Sequence, residues 1–205
     1  MPLLVRYHLD RVANIWKKST LVDRPPTMWR YKEMMPLLGD GEPVTLGEGF
    51  TPLFHAKSLG RKLGLQALYI KDESLNPTNS FKARGLSAAV TRARALKAHT
   101  LSVPSAGNAA NAMAAYAAQA GIPAKVFMPK DVKRPFIREC ELYGADVTLV
   151  DGLITDAGRL AAERGGPLGW YDVSTLKEPY RIEVKKTTAY ELAEQLDWEW
   201  PDWII

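Results

Sequence analysis

Leu101-Ser102-Val103-Pro104-Ser105-Ala106-Gly107-Asn108-Ala109-Ala110-Asn111 is the stretch on which the fold turns. Leu101 to Pro104 is a short apolar run and reads as a strand. Ser105 to Asn108 is small and polar and reads as a loop. From Ala109 to Ala120 the pattern is helical. Outward from this unit the alternation repeats. Strands are expected at 68–71, 99–103, 125–128, 146–150 and 170–173, with another starting at 203–205. Helices are expected at 80–97, 108–120, 134–143, 153–164 and 179–196. Gly121 and Pro123, Gly144, and Gly165-Gly166 supply helix stops, and Pro179 supplies a helix start. Such alternation implies an α/β protein with a parallel sheet covered by helices on both faces.

That architecture says where a ligand goes. Parallel sheets bind beyond the carboxyl ends of their strands, where the 105–108 loop lies. A small-residue loop at a helix N-terminus presents backbone N–H groups to a carboxylate or phosphate. The Asn108 amide can hold a phenolate oxygen, or it can simply cap the helix. About 25 residues earlier stands Asn76-Pro77-Thr78-Asn79-Ser80-Phe81-Lys82-Ala83-Arg84-Gly85. It puts one lysine directly after a turn, at the head of an alanine-rich helix. A lysine partly desolvated there can lose its proton and form a Schiff base with a carbonyl compound. The plain alternative for Lys82 is a surface helix charge, and for Phe81 a core side chain.

Composition narrows the class. The 205 residues are 46% hydrophobic and 24% charged, enough for one or two domains with a sizeable core. The net charge of +4 is spread along the chain, and no basic–aromatic interleaving suggests nucleic acid. No apolar run reaches the roughly 18 residues of a membrane span, and no signal-peptide core opens the chain. A cytoplasmic protein is the expectation. The lone Cys140 sits in a helical pattern and reads as a packed thiol. His8, His55 and His99 share no metal-ligand spacing. Residues 1–45 have little periodicity and read as an arm, with a short helix near 29–37. Asp72 and Glu73 end a strand and are expected to bond the following loop. Thr51 is expected to shape the Gly49-Phe50-Thr51-Pro52 turn.

Three blocks carry a family resemblance: 76–85, 102–111, and Leu46-Gly47-Glu48-Gly49-Phe50-Thr51-Pro52-Leu53. With Glu178-Pro179-Tyr180-Arg181-Ile182-Glu183 and Lys186-Thr187, they resemble the threonine synthase family of pyridoxal-phosphate (PLP) enzymes. That family belongs to fold type II, with the tryptophan synthase β subunit. The resemblance runs from about Trp29 to Ile205. It implies three layers, parallel sheets with helices on both faces, and a chain truncated at its C-terminus, ahead of the loop that holds the PLP phosphate. It also implies domains at 1–85 (arm and start of the large PLP domain), 86–178 (smaller α/β domain) and 179–205 (return to the large domain).

The resemblance assigns roles as well. Lys82 is implied as the catalytic, cofactor-bearing lysine, Asn108 as the partner of the cofactor's ring oxygen, and Phe81 as pocket wall. Ser105, Gly107 and Ala109 are implied at the substrate carboxylate, and Arg181 at the substrate phosphate. The implied reaction converts O-phospho-L-homoserine and water to L-threonine and phosphate, in a homodimer when full length. Four positions depart from the family pattern: Asn79 for glycine, Ala83 for aspartate, Ala109 for threonine and Val184 for glycine. A left-handed backbone at 184 would make valine a problem; a helical one would not. A PLP-dependent ammonia-lyase and a catalytically silent PLP-fold protein are the alternatives, and Arg181 discriminates the first of these.

Overall fold

The computed structural model describes residues 3–36 and 41–205. An N-terminal arm carries α1 (Leu9–Ile15), α2 (Lys18–Leu21) and a 3-10 turn at Met28–Met34. Next come β1 (Leu53–His55), α3 (Lys57–Leu63) and β2 (Tyr69–Lys71), then two 3-10 turns, Glu73–Leu75 and Pro77–Asn79. The alternating part follows: α4 (Lys82–Ala95), β3 (Leu101–Pro104), α5 (Asn108–Ala120), β4 (Ala124–Pro129), α6 (Arg134–Leu142), β5 (Asp146–Val150), α7 (Ile154–Gly165) and β6 (Tyr171–Asp172). The chain closes through α8 (Tyr180–Glu183), a 3-10 turn at Val184–Lys186, and α9 (Thr187–Gln195).

Strands β5, β4, β3 and β6 lie side by side in that order, all parallel. Ala124-Lys125-Val126-Phe127-Met128-Pro129 is mostly apolar on both sides of the pleat because both sides are covered. Val126 and Met128 face a core with Leu86, Val90, Met113 and Tyr116. Phe127, one step out of phase, faces Ala157 and Ala161 of α7. Helices therefore cover both faces. On the first face α4 packs along α5, and the buried Ala83, Ala89, Ala93, Ala110, Ala114 and Ala117 are small enough to let them approach closely.

Strand order positions the site. β4 and β6 flank β3 on opposite sides, so the chain leaves β3 one way and returns on the other. That is a topological switch point, and the crevice opens at the carboxyl ends of β3 and β6. Ser105–Gly107 follows β3, and residues 173–179 follow β6 on the way to Arg181.

Several expectations need correction. Residues 68–71 were expected in the parallel series, but β2 pairs antiparallel with β1 in a separate two-stranded sheet, Leu53 opposite Lys71. Three-residue strands made by non-local pairing leave no periodicity to read, and α3 was missed with them. The expected helix 179–196 is interrupted. The Thr187 hydroxyl donates to the Val184 carbonyl, competing with the α-helical bond there and tightening the turn. Val184 itself is right-handed (φ −72°, ψ −12°) and fully buried against Met28, Met35 and Ala88, so valine is harmless there. No strand forms at 203–205, where Trp203 stands 83% exposed. The helix expected at 29–37 is the 3-10 turn Met28–Met34, and Leu37 lies outside the described residues.

Candidate active site

Lys82 is the first residue of α4 and half-buried. The turn before it is conformationally costly. Thr78 (φ +61°) and Asn79 (φ +54°) are both left-handed. Asparagine tolerates that region, which explains how it replaces a glycine. A β-branched threonine does not, and the Thr78 hydroxyl is also buried without a hydrogen-bond partner. Such strain and an orphaned polar atom are features that collect at ligand sites. The turn packs against α5, the helix that begins at Asn108. The two sequence blocks therefore meet through α4, α5 and this turn.

The second contact comes from α8. A Cβ on Gly85 would lie 2.6 Å from the Arg181 carbonyl oxygen and 2.8 Å from Arg181 Cγ. Only glycine permits this approach. Positions 82 and 85 share a helix face, so the contact brings the Arg181 segment to the Lys82 side of α4. Arg181 is buried, at 4% exposure, and its guanidinium donates from Nη1 to the Val173 carbonyl at 2.5 Å. Glu178 does not pair with it; its carboxylate accepts the Arg181 backbone N–H at 3.0 Å. Burial, and then the Arg181 charge, push the Lys82 pKa down. No carboxylate pairs with Lys82 among the described residues, and its ammonium lies 4.3 Å from the centre of the Phe81 ring. A partly desolvated lysine without a counter-ion is suited to act as a neutral amine.

The loop after β3 is open. Ser105 Oγ accepts the Gly107 N–H at 3.3 Å, and the Ser105 N–H donates to the Phe127 carbonyl. Asn108 is the exposed first residue of α5, and the N-cap is Gly107, with no side-chain cap bond. Asn108 is therefore not the helix cap, and its amide is available to a ligand. The N–H groups of Asn108 and Ala109 lie at the helix end that has no intrahelical acceptors. The site fits a PLP-sized aldehyde in its chemistry: an amine of lowered pKa, an available amide and an open helix N-terminus. The Phe81 ring lies against the Lys82 ammonium, and Arg181 meets α4 at Gly85, one turn on, near enough for its charge to act on Lys82. Ser105, Gly107, Asn108 and Ala109 form the second cluster, at the carboxyl end of β3. Among the described residues no group of histidine, cysteine or carboxylate side chains could hold a metal.

Behind Lys82 lies a buried ionic network. Arg84, with no exposure, binds Glu73 through Nε and Nη2 at 2.7 Å each, and Glu191 through Nη1 and Nη2 at 2.5 and 2.7 Å. Lys71 adds a 2.8 Å bridge to Glu191. Burial alone would raise the Glu73 and Glu191 pKa values, but Arg84 outweighs it and holds both below the ordinary range. Thr51 belongs to this network rather than merely to its turn: its hydroxyl donates to Glu73 at 2.7 Å and its carbonyl accepts from Lys71. Both acids bond the following loop as expected, Asp72 at the Ser74 N–H and Glu73 at the Asn76 amide, and Glu73 serves Arg84 in addition.

Glu48 is equally buried but meets only neutral donors: Trp29 Nε1 at 2.6 Å, Ser87 Oγ at 2.5 Å, Tyr116 OH at 2.7 Å, Thr45 Oγ1 at 3.1 Å and the Leu46 N–H at 2.9 Å. It ties the Gly47-Glu48-Gly49 turn to α4 and α5. Gly49 (φ +92°) could carry no side chain, since its Cβ would sit 2.3 Å from the Met28 nitrogen. Sequence reasoning missed the parts played by Arg84, Glu191 and Glu48. The Arg84 and Glu191 partnership spans 107 residues and leaves no local pattern.

A parallel sheet covered by helices on both faces, with a small-residue loop and helix N-terminus at the carboxyl end of β3, is the architecture of a fold type II PLP enzyme. A family model described as pyridoxal-phosphate dependent enzyme matches residues 44–205, and the chain belongs to that family. It is 38% identical over 181 residues to a threonine synthase of Methanosarcina acetivorans, covering 88% of this chain and 44% of that protein. It is 34% identical over 204 residues to the threonine synthase of Methanocaldococcus jannaschii, covering 99% of this chain and 50% of that one. The chain thus spans about half the length of these curated relatives. Among solved structures, the apo diaminopropionate ammonia lyase of Escherichia coli superposes with a TM-score of 0.68 at 24% identity, over 75% of this chain and 49% of that one. A PLP-dependent aspartate racemase gives 0.65 at 28% identity, over 72% and 46%. These likenesses agree on the fold.

Proposed function

We propose that the protein converts O-phospho-L-homoserine and water to L-threonine and phosphate, with Lys82 carrying the cofactor. The observation that carries this reading is the placement of Lys82: half-buried, without a carboxylate, and held beside Arg181 by the Gly85 contact. The threonine synthase relatives support it. Bound PLP supplies the electron sink for a carbanion beside the substrate nitrogen. Lys82 Nζ, whose pKa burial and then the Arg181 charge push down, takes and returns protons at substrate carbons. The Asn108 amide orients the cofactor's ring oxygen. Ser105 and the Ala109 N–H receive the substrate carboxylate, and Gly107 lets it approach the backbone closely. The Phe81 ring walls the reacting end, and Arg181 draws the phosphate toward it.

The burial of Arg181 favours one rival. A guanidinium engaged on a backbone carbonyl is less available to a phosphate, as suits an ammonia-lyase. The test is direct. The protein is mixed with PLP, reduced with borohydride, and mapped by mass spectrometry, with Lys82→Ala as control. O-phosphohomoserine is then added to the unreduced protein. A covalent adduct at Lys82, with phosphate and threonine released in equal amounts, is expected. An adduct with ammonia release from amino acids instead would establish the lyase, and no adduct would end the PLP assignment.

The same reading keeps the division at 1–85, 86–178 and 179–205, supported by the separate β1–β2 and four-stranded sheets. It takes a homodimer in the cytoplasm, acting on a small amino-acid substrate without nucleic acid. No described helix is long and apolar enough to cross a membrane.

A further inference from the structure

Lys185 stands four residues after Arg181 in a right-handed helical run, so the two share a side. Its ammonium lies 5.3 Å from the centre of the Phe81 ring, whose other ammonium neighbour is Lys82 at 4.3 Å. The two nitrogens are therefore no further apart than the sum of those distances. Neither has a carboxylate within ion-pair reach among the described residues. The next residue behaves differently: Lys186 pairs with Glu183 and covers the Tyr7 ring. Burial, and then the charges of Lys82 and Arg181, push the Lys185 pKa down, with Glu178 opposing. Glu178 and Asp172 act on Arg181 from outside ion-pair reach, and three cations drawn together with so little direct compensation cost stability unless an anion joins them. Arg181 is almost wholly buried and engaged on Val173. Lys185 is only half-buried and unengaged.

We propose that Lys185 is a specificity-determining residue: with Lys82 across the Phe81 ring and Arg181 on its own helical side, it forms a subsite for a dianionic phosphate monoester. This deepens the proposed function and rests on it, since the phosphate is then the substrate's. Lys185 supplies the accessible charge, and Arg181 reinforces it from the interior. The phosphate that leaves the substrate would depart along Lys185.

The test needs no turnover. Lysine side-chain NMR signals of the whole protein are followed while inorganic phosphate is added at constant ionic strength, for wild type, Lys185→Gln and Lys185→Arg. The expected result is a saturable shift at Lys185 and Lys82. Loss of a charge-assisted contact should weaken it roughly tenfold or more in Lys185→Gln, with near-wild-type affinity in Lys185→Arg. No saturable shift, or equal affinity in Lys185→Gln, would overturn the proposal. The titration is repeated with PLP bound. Persistence of the Lys185 response assigns the anion to the substrate, and its disappearance assigns it to the cofactor and overturns the substrate subsite. Failure of the broader reading shows separately, as absence of a borohydride-trapped adduct at Lys82.

Discussion

Gly85→Ala sets two known effects against each other. In an ordinary helix interior, replacing glycine with alanine gains about 0.8–1 kcal/mol of propensity. Here the new methyl carbon would sit 2.6 Å from the Arg181 carbonyl oxygen and 2.8 Å from its Cγ. Relief to an ordinary carbon contact of about 3.5 Å needs a displacement of roughly 1 Å. The obstacle is backbone, which cannot swing aside as a side-chain tip can, so α8 must move bodily. Overpacking of this kind costs about 1–3 kcal/mol. The packing term wins, leaving a net loss of about 1 kcal/mol. With a urea m-value of about 2 kcal/mol/M, the midpoint falls by about 0.5 M. The same displacement carries Arg181 away from Lys82, so the Lys82 pKa moves back up, as read by lysine NMR. A midpoint at or above wild type, with the Lys82 titration unchanged, would refute the claim that this glycine sets the α4–α8 approach.

Arg84→Met leaves the buried Glu191 and the half-buried Glu73 without their main cation, so urea unfolding should show a loss of about 3–5 kcal/mol; under 1 kcal/mol would mean that water reaches the network. Because the folded pKa values of Glu73 and Glu191 lie below the unfolded ones, their contribution is present above about pH 4.3 and is lost as pH falls below it. Acid titration of stability should therefore be shallower once Glu191→Gln removes one of them. Lys82 has the opposite linkage: its folded pKa is lowered, so the protonated form costs stability at neutral pH and the cost fades as pH approaches about 10.4. Lys82→Met is accordingly expected to be more stable than wild type at pH 7, with the difference closing at high pH. Cys140 is fully buried, its thiol pushed up to about 12 by burial and then by Glu139 and Glu141. It should resist a disulfide reagent at pH 8 until denaturant is added; rapid reaction in the native protein would contradict the packing.

The alternating half of the fold was legible because each of its signals is local. Gly121 and Gly144 adopt the left-handed backbone that ends a helix, and the apolar run of β4 declares a strand covered on both faces. The helix at Asn108–Ala120 and the strand at Asp146–Val150 coincide with the sequence reading for that reason. The blocks around Lys82 and Asn108 stood out because a turn followed by a small-residue helix is itself a local pattern. What lies between Leu53 and Lys71 was misread, since a pair of three-residue strands is defined by each other and not by periodicity.

Tertiary structure alone decided what surrounds the lysine. Nothing in the local sequence singles out Arg84; packing alone places Glu73 and Glu191 around it. Glu48 belonged to a recognisable block, but its five neutral donors come from four separate segments. Lys185 and Arg181 reach Lys82 only because Gly85 lets two helices touch backbone to backbone. A sequence specifies local conformation through sterics and hydrogen bonding within a few residues. Which charges share a buried volume depends on contacts between distant residues, and those exist only once the chain has closed on itself.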